Sequence, residues 1–263
     1  MSTEVEYQHI YTVAGVRVVS NRKVKLPVAG FSDCRLHVRF VDDSHFQEPK
    51  DRNSPWFEVP TDSVAASLIS QDGRKAIVSS CSLTADGAAS EIRGIVPFAS
   101  ALQEAIILHA SAVISGQSIV CFVGGSGAGK STLAGALASR GYVIAADDLL
   151  PCRCLGRNVV VHADQRRNMT AFPLSALFFL TRNRSLAEPD LTTLTPKVCM
   201  KRLLENGFGN MTSKAIWTIQ FLTYGLMANT IPAYDFVIPD DLSQLSNTTM
   251  HICQFLTTVE RAR

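Results

Sequence analysis

Eight consecutive residues carry the strongest chemical signal in the chain, and they read Gly124-Gly125-Ser126-Gly127-Ala128-Gly129-Lys130-Ser131. An apolar segment, Ser118 to Val123, precedes them, and a helix-forming segment, Thr132 to Ser139, follows. Glycines accept backbone conformations that are closed to residues with a Cβ, so several main-chain N–H groups can turn toward one polyphosphate. The order of strand, glycine-rich loop and helix therefore predicts a phosphate-binding loop of the Walker A type.

The residues that end this loop have separate predicted roles. The ammonium of Lys130 reaches the β- and γ-phosphates, and the helix that begins there adds free N–H groups and the positive end of its dipole. Ser131 is placed to ligate Mg²⁺. Thr132 completes the predicted nucleotide-binding set, which starts at Gly124. The predicted cofactors are ATP and Mg²⁺, although no base-reading motif follows the loop and a choice between ATP and GTP stays open.

Two adjacent carboxylates, Asp147 and Asp148, follow the predicted strand Tyr142 to Ala146. In phosphate-binding-loop folds a carboxylate at the tip of a neighbouring strand faces Mg²⁺ and the γ-phosphate. Adjacent side chains at a strand end point in different directions, so one can take a proton from an attacking hydroxyl while the other holds the metal. A polar turn is the alternative, but the position one helix and one strand after the loop favours the catalytic interpretation.

Composition limits the class of protein. The chain has 263 residues, 46% of them hydrophobic and 18% charged, which predicts a globular protein with a sizeable core. A net charge of +2 gives no support for a nucleic-acid partner. The seven cysteines include no C-x-x-C pair, and we expect them to be reduced thiols of a cytoplasmic protein. No secretion signal and no apolar run long enough to cross a membrane is visible, so no membrane partner is expected.

The pattern of the chain changes near residue 96. Before it, short alternating segments broken by turn residues predict a small β-rich domain over residues 1–96. These predicted strands cover 9–12, 16–19, 35–41, 66–69 and 75–79, and Asp86-Gly87 is interpreted as a turn. After it, residues 97–263 alternate predicted helices and strands, which favours an α/β nucleotide-binding domain. That domain starts with a predicted helix from Phe98 to Leu108 and a strand from His109 to Ile114.

The remaining predicted elements follow from caps and apolar runs. Thr195-Pro196 offers an N-cap followed by proline at the first helical position, and Gly207 ends that helix. Further predicted strands cover 158–162, 176–181 and 233–238, and further helices cover 213–228 and the segment after Asp240-Asp241.

Four stretches together resemble a known family. They are Leu108-His109-Ala110-Ser111-Ala112-Val113, the loop 124–131, Arg140-Gly141-Tyr142 and Ala146-Asp147-Asp148-Leu149, and in this order and spacing they are similar to the catalytic domain of bacterial HPr kinase/phosphorylase. The resemblance implies a P-loop fold related to phosphoenolpyruvate carboxykinase and transfer of phosphate from a nucleotide to a serine hydroxyl. It implies that Asp147 is the base, that Asp148 assists it and Mg²⁺, and that His109 lies beside the phosphates.

The resemblance has limits that bear on the acceptor. The stretch 161–169 lacks the metal-binding glutamate and the later arginine-bearing loop that the family uses for phosphorolysis, so HPr as acceptor and the reverse reaction are not carried over. The first half is more similar to small HPr kinase-like proteins of peptide natural-product pathways, in which lasso-peptide kinases phosphorylate a serine of a precursor peptide. The predicted partners are therefore a nucleotide and a serine-containing peptide or protein.

A local excess of arginine lies between residues 153 and 184. Arginine forks suit phosphate and carboxylate groups, so Arg166 and Arg167 are candidate ligands for the nucleotide or for an acidic substrate. A solvated loop is the alternative. The apolar stretch Trp217 to Met227 suits either a core or an interface between copies, which leaves a homo-oligomer open.

Two other function classes stay open beside a peptide serine kinase. One is a nucleotide-dependent switch or non-catalytic binding module that keeps its loop for assembly. The other is a kinase of a small-molecule alcohol. Asp147 favours transfer, because a pure binder has no need of a base facing the γ-phosphate.

Overall fold

A computed structural model describes residues 9–13, 16–26, 34–46, 56–59, 65–79, 83–165, 168–207 and 214–261. The fold is mixed α/β with two sheets. The chain forms two compact units, one mainly of residues 1–106 and the other mainly of residues after 106. The helix that spans residues 85–102 belongs to the first unit, and the domain boundary expected at residues 96 and 97 stays a prediction.

The first unit contains a six-stranded sheet. Its strands, in chain order, are β1 (His9–Val13), β2 (Val16–Ser20), β3 (Cys34–Val41), β4 (Trp56–Glu58), β5 (Ser67–Ser70) and β6 (Lys75–Ser79). They are arranged in the order β1-β2-β3-β6-β5-β4, and a 3-10 helix covers Asp43–His45. Strands β2 and β3 alternate buried and less buried residues, as expected for strands with one face on a core. The five segments predicted as strands are therefore strands.

Helix α1 (Ala85–Leu102) corrects two sequence predictions. Thr84 caps it by accepting a hydrogen bond from Gly87 N, so Asp86-Gly87 is the first helical turn rather than a separate turn. The predicted helix 98–108 is helical as far as Leu102, where α1 ends, and it was wrong beyond that residue, because a strand begins at Ala105. The apolar run that follows α1 is compatible with a buried strand as well as with a helix, so its pattern alone does not distinguish a strand from a helix.

The second sheet has eight strands. They are β7 (Ala105–Ser115), β8 (Ser118–Val123), β9 (Val143–Ala146), β10 (Leu149–Leu155), β11 (Asn158–Gln165), β12 (Asn168–Asn183), β13 (Asp190–Thr193) and β14 (Ala233–Pro239). The order is β11-β10-β7-β8-β12-β14-β13, with β9 paired to β7 and an additional pairing of β11 with β12. Strand β12 is parallel to both β8 and β14, so these three strands end at the same edge of the sheet.

Among the described residues, the second half of the chain forms four α-helices. They are α2 (Lys130–Ala138), α3 (Pro196–Asn206), α4 (Lys214–Thr230) and α5 (Leu245–Arg261), and a 3-10 helix, Leu242–Gln244, precedes the last. Thr195 caps α3 by accepting from Val198 N, and Gly207 follows its end, as the sequence predicted. Among the described helices, none combines the length and the apolar character needed to cross a membrane.

A core cluster fixes α2 and α5 against the sheet. It contains Phe122 from β8, Phe178 from β12 and Phe236 from β14, together with Leu133 of α2 and Ile252 of α5. The ring centroids of Phe122 and Phe178 lie 5.6 Å apart, so the parallel strands are joined by packed aromatic rings. This packing holds the end of β8 and the start of α2 in place, and the glycine-rich loop connects those two points.

Candidate functional site

The loop from Gly124 to Gly129 joins β8 to α2 and requires glycine at particular positions. A Cβ on Gly124 would lie 2.9 Å from the carbonyl oxygen of Leu180, a distance that a real side chain does not tolerate. Gly127 and Gly129 have φ of +77° and +96°, in the left-handed region that favours glycine. The loop is therefore built around backbone positions that other residues would distort.

The Lys130 side chain lies folded inside this loop. Its Nζ donates to the carbonyl oxygens of Gly124, at 2.8 Å, and Gly125, at 3.1 Å, and the residue is buried. Burial lowers the pKa of Lys130 from its ordinary value of 10.5, while the charges of Asp148 and Asp147 act in the opposite direction. The structure therefore brings the lysine into the electrostatic field of both predicted carboxylates.

Asp147 is held by a hydroxyl on the neighbouring strand. Ser111 Oγ donates to Asp147 Oδ1 at 2.6 Å, and Ser111 is fully buried in β7. A short bond from a neutral hydroxyl to a carboxylate oxygen fixes the orientation of that carboxylate. Asp147 is itself exposed, so its carboxylate remains accessible from solvent.

Asp148 pairs with His109. The Nε2 atom of His109 lies 3.0 Å from Asp148 Oδ1, and the two side chains are 34% and 65% exposed. Asp148 has φ of +77°, and its carbonyl oxygen accepts from Ala110 N. Aspartate tolerates this left-handed conformation better than most residues, and the local turn sends the two adjacent carboxylates to different partners on β7.

Strand β7 is the element that assembles these groups. It lies between β8 and the β9–β10 segment, and Ala110 pairs with Val123, the last residue before the loop. His109 and Ser111 are two positions apart on β7 and therefore face the same side. The structure thus places His109, Asp147 and Asp148 near one another on β7 and the connection after β9, and their catalytic roles stay predictions.

The first turn of α2 presents two hydroxyl oxygens to solvent. Ser131 and Thr132 are both exposed at the start of the helix. Among the described residues, no cluster of three or more His, Cys, Asp or Glu side chains could hold a metal ion. A site with few protein oxygens fits Mg²⁺, which keeps several waters and usually takes one or two protein oxygens together with substrate phosphates. Ser131 and Asp148 are the residues that would supply those oxygens.

An open cavity of about 360 Å³ borders the loop. Its lining includes the loop from Gly124 to Ala128 and two arginines, Arg182 at the end of β12 and Arg202 on α3. Arg202 Nη2 contacts both carboxylate oxygens of Asp235, at 3.0 and 2.9 Å. Arg182 Nη1 lies 3.1 Å from Asp240 Oδ1. Backbone amides and guanidinium groups around one cavity suit an anionic ligand.

Sequence reasoning did not select two residues that the structure places at the site. Ser111 lies in a stretch that resembles the family but has no predicted role, although its spacing of two from His109 on a predicted strand is a usable signal. Arg182 lies in the arginine-rich stretch 153–184 and has no predicted role of its own, yet its Nη2 lies 3.2 Å from where a Cβ on Gly129 would be. Arg166 and Arg167, the predicted substrate ligands, lie outside the described residues, so their role stays a prediction.

Comparisons with known proteins add little to this geometry. No protein-family model matches the chain, and no curated protein matches it significantly. Among solved structures, the chain is similar to the Hpr(Ser) kinase/phosphatase from Coxiella burnetii, at 13% identity and a TM-score of 0.35, over 59% of this chain and 90% of that chain. A likeness at this level carries no argument about activity, and the proposals below start from the residues of this chain.

Proposed function

We propose that this protein is a kinase that transfers the γ-phosphate of ATP, with Mg²⁺, to the serine hydroxyl of a peptide or protein. The observation that carries the proposal is the placement of a lysine ammonium and two carboxylates around one loop. Lys130 lies within the loop, and the charges of Asp147 and Asp148 act on it from the adjacent strand connection. A polyphosphate on the loop would have cations on one side and a carboxylate on the other.

The loop amides and Lys130 bind the phosphates in this proposal. Lys130 exchanges its bonds to Gly124 and Gly125 for bonds to phosphate oxygens, and the start of α2 adds its free N–H groups. Ser131 and Asp148 would hold Mg²⁺, which would neutralise charge that develops on the leaving oxygens. The contact with His109 restricts the directions that the Asp148 carboxylate can take.

Asp147 accepts the proton of the acceptor hydroxyl. The acceptor oxygen forms a bond to the γ-phosphorus, the bond from that phosphorus to the β–γ bridging oxygen breaks, and ADP leaves with the bridging oxygen. Ser111 keeps one carboxylate oxygen of Asp147 in a fixed direction, so the carboxylate can face the incoming hydroxyl. The choice of a serine peptide as acceptor is supported by the sequence resemblance alone.

Phosphate transfer to a set of acceptors tests the proposal. The protein is incubated with γ-labelled ATP, Mg²⁺ and, separately, serine peptides, threonine peptides and small alcohols, and labelled acceptor and ADP are measured. We expect acceptor-dependent ADP formation that falls by 10²-fold or more in Asp147→Asn, because a general base contributes about that much. The same variant should bind ATP as the wild type does.

Two controls separate transfer from the alternatives. Lys130→Ala should remove ATP binding while leaving the circular dichroism spectrum unchanged, because the bonds that it loses are to carbonyl oxygens of the loop and not to a helix or strand. Asp43→Asn changes a carboxylate in the other compact unit and should leave transfer unchanged. ADP formation that is independent of acceptor and survives in Asp147→Asn would indicate a switch instead of a kinase.

A further inference from the structure

A second cavity borders the loop from the side of α2. It is built by the first turn of α2, the end of β14 and the start of the carboxyl-terminal helical segment. Its lining residues are Gly129, Thr132, Leu133, Arg182, Ile238, Pro239, Asp240, Asp241, Leu242, Leu245 and Thr248. All of them belong to the second compact unit. Gly129 and Thr132 border this cavity and are also members of the predicted phosphate-binding set.

Part of the lining of this cavity is apolar. Leu133 and Ile238, both buried core residues, contribute to it. Leu242, at the rim, is 72% exposed, the largest exposure among the large hydrophobic residues of the described chain. A leucine exposed to this degree beside an apolar cleft gains burial when a flat ring covers the cleft.

Two carboxylates stand at the same rim and are already held in place. Asp240 Oδ1 and Oδ2 accept from Arg182, at 3.1 Å, and Arg184, at 3.2 Å. Asp241 Oδ1 accepts from Ser243 N at 2.9 Å, and its Oδ2 accepts from Ser243 Oγ at 2.6 Å. Each carboxylate oxygen has capacity for a further hydrogen bond, so fixed acceptors face any hydroxyl donor that enters the cleft.

We propose that this cavity holds the nucleoside of the nucleotide whose phosphates occupy the loop. The inference rests on the proposed function and extends it by naming where the base and ribose bind. The phosphate chain leaves the loop past Gly129 and Thr132, which places the sugar next to this rim. The ring lies against Leu133, Ile238 and Leu242, and the ribose hydroxyls donate to the carboxylates of Asp240 and Asp241, a pairing that carboxylates make in other nucleotide sites.

The size of the cavity sets how the ring is held. It offers about 50 Å³ to solvent, room for roughly four waters, and admits the face or edge of a ring rather than a whole buried ring. The exposed Leu242 side chain covers the opposite face of the ring. Affinity for the base is accordingly modest, and the phosphates contribute most of the binding.

Calorimetric titration of the wild type with MgATP, MgGTP and magnesium triphosphate measures the contribution of the nucleoside. We expect at least one nucleotide to bind about tenfold more tightly than inorganic triphosphate. Leu242→Asn should lower the affinity for that nucleotide about tenfold, since it removes the burial of one leucine side chain, and leave triphosphate affinity unchanged. Leu155→Asn, which changes a similarly exposed leucine at the end of β10, should change neither affinity.

The ribose contact has its own readout. The 2′-deoxy form of the preferred nucleotide should bind the wild type several-fold more weakly than the ribonucleotide, because one hydroxyl donor is missing.

The outcomes separate the two proposals. Equal affinity for triphosphate and both nucleotides, or an unchanged nucleotide affinity in Leu242→Asn, overturns the nucleoside site and leaves the phosphate-binding loop standing. Failure of the wild type to bind triphosphate or either nucleotide overturns the proposed function and the nucleoside site with it.

Discussion

The Ser111 hydroxyl lies 2.6 Å from Asp147 Oδ1, so a buried residue of β7 sets the direction of an exposed carboxylate on the adjacent strand connection. Ser111→Ala removes this bond. We expect kcat for phosphate transfer to fall by about tenfold or more, because a hydrogen bond to a charged group contributes roughly 1.5–3 kcal/mol. The KM for ATP should not change, since in this proposal Ser111 acts on the base Asp147 and not on the phosphates.

A matched serine makes the control for this variant. Ser118 Oγ bonds Ser175 Oγ at 3.0 Å at the start of β8, the end of that strand away from the loop. Ser118→Ala removes a comparable hydroxyl bond and should leave kcat unchanged. An equal loss of kcat in both variants would indicate a general loss of sheet stability, and Ser111 would have no positioning role.

Two adjacent glycines should respond differently to alanine. A Cβ on Gly124 would lie 2.9 Å from Leu180 O, whereas a Cβ on Gly125 meets nothing within 4 Å. We expect Gly124→Ala to destabilise the protein by about 1–3 kcal/mol, because backbone must shift to admit the methyl group. Gly125→Ala should lie within about 0.5 kcal/mol of wild type. Urea unfolding measures both, and equal stabilities would contradict the packing at Gly124.

The burial of Lys130 makes a prediction about pH. Its pKa in the folded protein is lowered from 10.5, so between these two values the unfolded chain binds more protons and the free energy of unfolding rises with pH. In Lys130→Met this contribution is absent. We expect the wild type to gain stability relative to Lys130→Met as pH rises toward 10.5, and the two to lie within about 1 kcal/mol at pH 7. Urea unfolding from pH 7 to 10.5 measures the difference, and a constant difference would contradict the burial.

Asp148 combines a left-handed backbone with an exposed carboxylate. Asp148→Gly relieves the conformational restriction, whereas Asp148→Ala keeps it with a residue that tolerates φ of +77° poorly. We expect the glycine variant to be more stable than the alanine variant by about 1 kcal/mol, and both to lose transfer activity to a similar extent. Thermal unfolding and activity assays of the pair separate the two contributions. Equal stabilities would mean that the left-handed turn carries no strain.

Ser131 should affect binding only when metal is present. Ser131→Ala removes the exposed hydroxyl proposed as a Mg²⁺ ligand. We expect it to weaken MgATP binding about tenfold and to leave ATP binding in excess chelator unchanged. Ser139→Ala changes an exposed hydroxyl at the other end of α2 and is the comparison variant, which should bind MgATP as the wild type does. A loss of affinity that is the same with and without Mg²⁺ would remove Ser131 from the metal site.

Local signals in the sequence were sufficient to predict several helices and strands. The strand Ser118–Val123 lies within the predicted bounds because an apolar run ends at a glycine pair, and α3 was located by its Thr195 cap and Pro196. Residues 85–97 of helix α1 were not predicted to be helical because Gly87 and Pro97 lie among them, and both residues ordinarily mark turns. Burial against the first sheet, which no local pattern displays, overrides them there.

Contacts between residues far apart in the sequence could not be predicted from these local signals. The bonds from Ser111 to Asp147 and from Arg182 to Asp240 join residues 36 and 58 positions apart, and strand register decides which residues meet. The fold class was predictable to the level of a mixed α/β protein with two sheets. The peptide acceptor stays a prediction.

The common edge at which β8, β12 and β14 end has a consequence for engineering. The aromatic cluster of Phe122, Phe178 and Phe236 joins these strands below that edge. Residues 185–189, which connect β12 to β13, leave the sheet at that edge and lie outside this cluster, so they can be replaced with segments from other sources without disturbing the packed rings. Libraries confined to that connection offer a way to change the surface at this edge while the packed scaffold is retained.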